Sequence, residues 1–460
     1  MKTIVNIMDF GALSNGELQT RAIQDAIDHV FLAGGGEVQV PKGVYMTGGI
    51  RLRSNITLHL LEGAVLKGSQ DPEDYYACYT EDKIEPILPS RITDAPYIPL
   101  KTIQGETCYD ESDVRYNFRR LPGSRWNNAL IRAIDVENVA IIGEINSCID
   151  GNNCFDEIGE ENFRGPHAIT FFNVKNIILK GYSVKDSANW AHNMLFCENI
   201  NMNYVKVCAG HDGFDAFTSK NITITNCEFY TGDDCVAGFG NVNVLVADCI
   251  LNSSCSALRF GGTNVIVRGC NIYGPGRYLF RGKLPYDDKR ACKPSTSPGR
   301  NMLSAFTYYA DYSMPIPEMP ENIVVKDCVF INVDRFLHYN FSGNETWQRH
   351  RPMNNISFEN IKATDISKGI FAYGTEECPL EMKFKNVDIC IRDDATLSEL
   401  IRGAYCKRIT FENVKIMNFK GDCLVRTLTD GECIFQNVES KLDKKDLVKK
   451  TDGAFNVKPI

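Results

Sequence analysis

Three aspartates offer the chemistry of this sequence. Gly210-His211-Asp212-Gly213-Phe214-Asp215 precedes one run of β-branched residues, and Thr231-Gly232-Asp233-Asp234-Cys235 precedes the next. Two carboxyl groups suffice to break a glycosidic bond with inversion: one protonates the leaving oxygen while the other activates water on the opposite face of the sugar. Crowding carboxylates raises at least one pKa and gains the fold nothing, so such a cluster points to function. A lone Asp-Asp pair is ordinarily a turn. Adjacent side chains on a strand point to opposite faces, so Asp233 and Asp234 need a turn or bulge between them to face one cleft.

What brings Asp212 to Asp233 is a repeat. A phrase of Asn followed by alternating β-branched residues recurs at Asn176, Asn199, Asn221, Asn243 and Asn264, in steps of 23, 22, 22 and 21 residues. Earlier copies begin at Asn55 and Asn138, later ones at Asn322, Asn355 and Arg408. Each unit holds short Val/Ile/Thr strands broken by Asn, Gly and Asp turns, with no helical periodicity between them, which rules against βαβ units. A period of this length made of short strands is that of a solenoid whose coils pair through parallel ladders about 4.8 Å apart. Leucine-rich repeats share the period, but their Leu-x-x-Leu-x-Leu signature is missing. The expected fold is all-β, a right-handed parallel β-helix forming a single catalytic domain over residues 1–460. Asp212 and Asp233, 21 residues apart, then lie one coil apart on one face.

Other elements follow from the solenoid. Cys227, Cys249 and Cys270 hold equivalent places in successive units and should stack inward as buried thiols. The open end needs a cap, placed at about residues 1–50, where Thr20 to Leu32 carries apolar residues at helical spacing until Gly34-Gly35-Gly36 stops it. Two stretches break the period, about residues 70–126 and 284–320, both rich in Tyr, Pro, Arg and Asp, and are assigned to loops walling a cleft.

Composition narrows the function. The 460 residues carry a net charge of −8, which argues against a phosphate-tracking nucleic-acid binder. No run of about 18 apolar residues spans a membrane. Met1-Lys2-Thr3-Ile4-Val5-Asn6 opens without a signal region, which reads as cytoplasmic. The 18 cysteines form no CxxC pair of zinc-ligand spacing and the seven histidines do not cluster with them, so neither metal nor cofactor is expected.

The chain resembles glycoside hydrolase family 28, the polygalacturonase-type β-helix enzymes that degrade pectin in cell walls. The resemblance runs through Asp9-Phe10-Gly11-Ala12, Asn15-Gly16, Val40-Pro41-Lys42-Gly43, Ile149-Asp150-Gly151, Arg164-Gly165-Pro166, Asn189-Trp190 and Gly232-Asp233-Asp234. It implies hydrolysis of pectin-derived, galacturonic-acid-containing oligosaccharides, with Asp233 as general acid and Asp212 and Asp234 on water. Two departures stand out. Gly210-His211 replaces the family's Asn-Thr, and Ser254-Cys255-Ser256 replaces its Gly-His-Gly, so the family histidine is absent. His211 is a candidate substitute from the neighbouring coil, set against an ordinary hydrogen-bonded histidine.

For the family's Arg-Ile-Lys uronate clamp, Arg281-Gly282-Lys283 is the counterpart, since Arg suits bidentate carboxylate pairing. Arg259 is its rival. Trp190, Trp126 and Tyr278 are candidates for sugar stacking, set against wall packing. Exo action is expected from the long loops. A calcium-dependent β-helix lyase and a non-catalytic carbohydrate-binding β-helix remain as alternatives.

Overall fold

The computed structural model describes residues 3–76, 128–160, 163–281, 292–293, 302–310, 318–341, 348, 351–451 and 455–459. These fall into two compact units, each built of right-handed parallel β-helix coils. The first draws its described residues from Met1–Ala95, Asp110–Asp233 and Tyr278–Ser295, the second from Asp234–Arg277 and Thr296–Ile460.

The recurring phrase pairs in register from coil to coil. In the first unit Val139, Ile177, Ile200 and Ile222 are successive ladder partners, as are Ile141, Leu179, Met202 and Ile224. All eight are at most 1% exposed. Parallel pairing puts like positions over one another, so a sequence period becomes a column of apolar side chains. The second unit does the same with aromatic rings. Phe358, Phe384, Phe411 and Phe435 stack at centroid distances of 5.4, 5.2 and 5.1 Å with interplanar angles of 12°, 14° and 8°.

The asparagine that opens each phrase has its own work. Asn55, Asn138, Asn176, Asn199 and Asn221 adopt φ of 63°, 58°, 58°, 59° and 57°, the left-handed region that Asn enters more readily than other side-chain-bearing residues. Each amide after Asn55 donates to the side-chain carbonyl oxygen of the asparagine one coil before, at 2.8 Å for Asn138 to Asn55 and 2.9 Å for each of the next three steps. In the second unit Asn264 donates to Asn243 at 3.2 Å and Asn322 to Asn264 at 3.1 Å. A separate ladder there runs Asn437 to Asn413 to Asn386 to Asn360, at 3.0, 3.0 and 2.9 Å.

The helix expected from the sequence spans Thr20–Leu32 and buries Ile23, Ala26, Ile27 and Val30. Gln24 pins it to the first coils: its amide donates to the Arg51 carbonyl at 3.0 Å and its oxygen accepts from the Arg51 N–H at 2.8 Å. The cysteines whose side chains are described are free thiols. Cys227 is buried in the first unit, and Cys249 and Cys270 in the second, where Cys328 joins the column and its sulfur accepts from the Cys270 N–H at 3.4 Å. Among the described residues no helix is long and apolar enough to cross a membrane.

One expectation needs correcting. The stretch 284–320, read as a loop, contains the strand Met302–Tyr308, which pairs with Ser256–Arg268 on one side and Val333–Asn340 on the other. It is a coil strand without the Asn-Ile opening, and its alternating Ser304, Phe306 and Tyr308 bury as the neighbouring rungs do. The stretch about 70–126 lies outside the described residues from 77 onward; before that, Pro72–Tyr76 forms a 3₁₀ turn whose Tyr75 hydroxyl donates to the Ser69 carbonyl at 2.8 Å. Trp126 and Lys283 also lie outside the described residues.

Candidate active site

In the first unit the strands Lys206–Ala209 and Glu228–Thr231 are adjacent rungs with Ala209 opposite Thr231, and the Gly232 N–H continues the ladder to the Ala209 carbonyl at 2.8 Å. Both strands end at the same corner of the coil. Asp212 occupies the short connection that follows the first, and its carbonyl accepts the Ala191 N–H at 2.9 Å before the chain enters Phe214–Phe217. Asp233 occupies the connection that follows the second, its carbonyl accepting the Thr231 hydroxyl at 2.7 Å. The one-coil spacing read from the sequence therefore places both at one corner. The ladder offset here is 22 residues, so Asp233 continues the line of His211 and not of Asp212. The residues between Thr231 and Val236 lie outside any strand.

A segment from elsewhere in the chain closes this corner. Tyr278 to Arg281 crosses the coils at two glycines, and a Cβ on Gly210 would stand 2.7 Å from that of Arg281, while one on Gly232 would stand 2.6 Å from the Phe280 Cα. Only residues without a side chain let the segment lie so close. It is held by the Arg281 N–H donating to the Gly210 carbonyl at 3.0 Å and by the Tyr278 hydroxyl donating to Asp186. Glycine at position 210 thus has a packing reason, one that an asparagine could not satisfy.

Arg281 arrives buried, at 2% exposure, and so does Arg164, at 7%. An antiparallel bridge from Arg164 to Phe155 holds the latter's backbone. Its guanidinium donates to Asn189 at 3.3 Å, stands 4.0 Å from an Asp233 carboxylate oxygen, and lies 5.8 Å from the rings of both Phe163 and Phe280. The Asp233 side chain keeps 22% of its surface open.

His211 is wholly buried, edge-on to Phe280 at 5.4 Å and 6.0 Å from Phe163. Among the described residues neither ring nitrogen has a hydrogen-bond partner. Burial, and then the charges of Arg164, Arg281 and His167, hold its pKa well below the usual histidine value. The imidazole is therefore a neutral group between two cations, able to donate from one nitrogen and accept at the other.

Trp190, 7% exposed, stacks on Phe217 at 5.7 Å and lies 5.2 Å from His167, as a wall residue does. Beneath Asp212, His192 hydrogen-bonds through Nδ1 to the Gly213 carbonyl at 2.9 Å and through Nε2 to the Tyr182 hydroxyl at 3.0 Å. Burial pushes its pKa down to about 4, against the opposing effect of the Gly213 hydrogen bond. Arg164 and His192 were not singled out from the sequence. The Arg164-Gly165-Pro166 block was visible, but nothing in its spacing ties it to Asp233.

In the second unit Asp234 has a 1% exposed side chain. One oxygen accepts the Ser256 N–H at 3.0 Å, and the other stands 4.0 Å from Arg259. Arg259 lies 4.3 Å above the Tyr309 ring, and Tyr309 is fixed by its N–H donating to the Phe260 carbonyl at 3.1 Å. Arg259 thus accompanies Asp234, while Arg281 accompanies His211. Cys255, at the place of the absent family histidine, is half-buried, with its N–H donating to the Ser253 hydroxyl at 2.7 Å.

Comparison with known proteins agrees with this architecture. The Glycosyl hydrolases family 28 pattern matches residues 102–256. An exo-poly-alpha-D-galacturonosidase of Dickeya chrysanthemi is 26% identical over 265 residues, covering 52% of this chain and 42% of that protein. A probable polygalacturonase of Vitis vinifera is 26% identical over 245 residues, covering 50% and 43%. The chain thus spans less than half the length of these curated relatives. The structure of an exopolygalacturonase from Thermotoga maritima aligns with a TM-score of 0.61 at 19% identity, over 91% of this chain and 92% of that one. A family 28 exopolygalacturonase from Yersinia enterocolitica aligns with a TM-score of 0.52 at 17% identity, over 100% and 78%. The two structural likenesses bear on the fold, and over residues 102–256 the chain is similar to the glycosyl hydrolases family 28.

Proposed function

We propose that the protein hydrolyses galacturonic-acid-containing oligosaccharides from a chain end, with inversion at the anomeric carbon. The observation that carries this reading is the corner of the first unit, where Asp212 and Asp233 follow successive rungs beside the buried cations Arg164 and Arg281. Asp233, the more open carboxyl, serves as general acid. Asp212 binds and deprotonates the water, the part that the second carboxylate plays in inverting hydrolysis. Arg281, with Arg164 and neutral His211, recognises the uronate carboxylate by charge and hydrogen bonding. Exo action is supported by the names of the Dickeya relative and the Thermotoga neighbour.

The test is incubation with a panel of pectic oligosaccharides, following products by mass and by anomeric NMR. Release of single units with inverted configuration is expected, and Asp233→Asn should lower kcat by about 10²–10⁴-fold, the usual contribution of a positioned acid. Retention of configuration would overturn the water-activating roles. Unsaturated, ultraviolet-absorbing products would overturn hydrolysis itself in favour of elimination.

A further inference from the structure

The second unit carries a cavity of about 300 Å³ that the catalytic reading does not use. Arg335, Lys368, Phe371, Ser398, Glu399 and Arg402 are among the residues that line it. It is placed by the ladder. Arg259, Thr307, His338, Phe371, Arg402 and Arg426 are ladder partners on successive coils, so their side chains leave the sheet on one surface. On two of these coils a residue three positions earlier folds back to the same surface, in the contacts of Arg335 with His338 and Glu399 with Arg402.

The cavity begins three rungs beyond Asp234, roughly 14 Å at about 4.8 Å per rung. It does not run on to that residue. Ser304 and Thr307, on the coil between, are 0% and 3% exposed, which closes the surface there.

Three cations against one acid line this space. The Arg335 guanidinium lies 4.7 Å above the Phe371 ring and donates to His338 Nδ1 at 3.0 Å, which fixes its plane. Lys368 reaches Asp334 at 2.6 Å, and Glu399 is gripped by Arg402 at 2.5 Å and Arg426 at 3.0 Å. Burial works against the charge of Glu399, yet hydrogen bonds from Ser398, Arg426 and Arg402 and the Arg402 charge hold its pKa below the ordinary value. The wall is therefore pre-ordered by its own ion pairs.

We infer that this cavity is a second binding site for an acidic sugar residue, separate from the catalytic carboxylates. A fixed guanidinium suits a planar carboxylate, the half-buried Phe371 offers an apolar face to a pyranose ring, and the Ser398 hydroxyl meets its hydroxyls. Several hundred cubic ångströms is the size at which small-ligand sites begin. The ligand assignment rests on the galacturonan reading. The site holds a uronate residue of the polymer away from the bond being broken, so it raises affinity for long chains without touching the chemistry.

The experiment is isothermal titration of the full-length Asp233→Asn protein with hexagalacturonide and, as uncharged control, a galacto-oligosaccharide of equal length. The same titrations follow with Arg335→Gln and with Phe371→Leu added. In the otherwise unaltered protein, kcat/KM on digalacturonide is measured for both substitutions. Expected is hexamer binding weakened about tenfold or more in each variant, no binding of the neutral oligomer, and unchanged kcat/KM on the dimer. Unaltered hexamer binding in both variants, with unaltered melting temperatures, overturns the second site. Equal binding of the neutral oligomer overturns its acidic class. Failure of the unmodified protein to cleave or bind any galacturonide overturns the underlying function and the ligand assignment with it, an outcome distinct from the other two.

Discussion

His192 makes the fold beneath Asp212 depend on pH in a direction that can be worked out beforehand. It is wholly buried as a neutral ring, Nδ1 donating to the Gly213 carbonyl at 2.9 Å and Nε2 accepting the Tyr182 hydroxyl at 3.0 Å. Its folded pKa is about 4, below the ordinary histidine value of 6.5. The unfolded chain therefore binds the proton first as pH falls. Above about 6.5 both states are neutral and the group's stability is fully present; between about 6.5 and 4 it drains away at up to roughly 1.4 kcal/mol per pH unit, about 3 kcal/mol in all. Glutamine at this position can keep a donor to Gly213 but has no proton to gain. His192→Gln should thus be less stable than the wild type at pH 7, by about 1–3 kcal/mol for the disturbed buried hydrogen bonds. That gap should shrink by about 3 kcal/mol on going to pH 4. Urea unfolding of both proteins at half-unit intervals gives the difference directly, and because His211 is common to both it cancels. A gap that stays constant or widens with acid would refute the reasoning. Because Gly213 follows Asp212 in the chain, turnover at pH 7 should also fall in the variant.

Gly232→Ala drives a methyl group to 2.6 Å from the Phe280 Cα, so it should cost about 1–3 kcal/mol and displace Arg281. A raised KM for the acidic substrate, beyond any change in melting temperature, is the reading to look for. Asn199→Ala removes two amide ladder bonds and leaves a β-carbon residue at φ 59°, an expected loss of about 2–3 kcal/mol by denaturant titration. Asn199→Gly, which tolerates that φ, should lose visibly less. Phe384→Ala opens the ring stack between Phe358 and Phe411 and should cost about 3–5 kcal/mol, with no change in substrate preference.

The coil was legible in the sequence because a parallel ladder turns chain period into spatial neighbourhood. The Asn-Ile phrase marked the rungs from Asn55 to Arg408, and the Thr20–Leu32 helix showed itself by spacing alone. Asp212 and Asp233 were placed at one corner by the same logic. What escaped was whatever the period does not carry. Met302–Tyr308 lies on the face of the coil that does not carry the Asn-Ile phrase, and passed for a loop. Arg164 and the Tyr278–Arg281 segment reach the corner from outside the repeat, so no spacing connects them to Asp233. The burial of His211 follows from that segment lying over Gly210 and Gly232, a close approach between residues some fifty to seventy positions apart in sequence.

The asparagine ladder also bears on how such a molecule can change over generations. Asn138 bonds to Asn55 across 83 residues of chain, and Asn322 to Asn264 across 58, as readily as neighbours 22 apart do. Each rung recognises only the rung below it, whatever path the polypeptide took in between. Long excursions can therefore be lengthened, shortened or exchanged between two rungs while the scaffold keeps its register. Whatever those excursions carry is then free to diversify on a frame that hardly registers the edit.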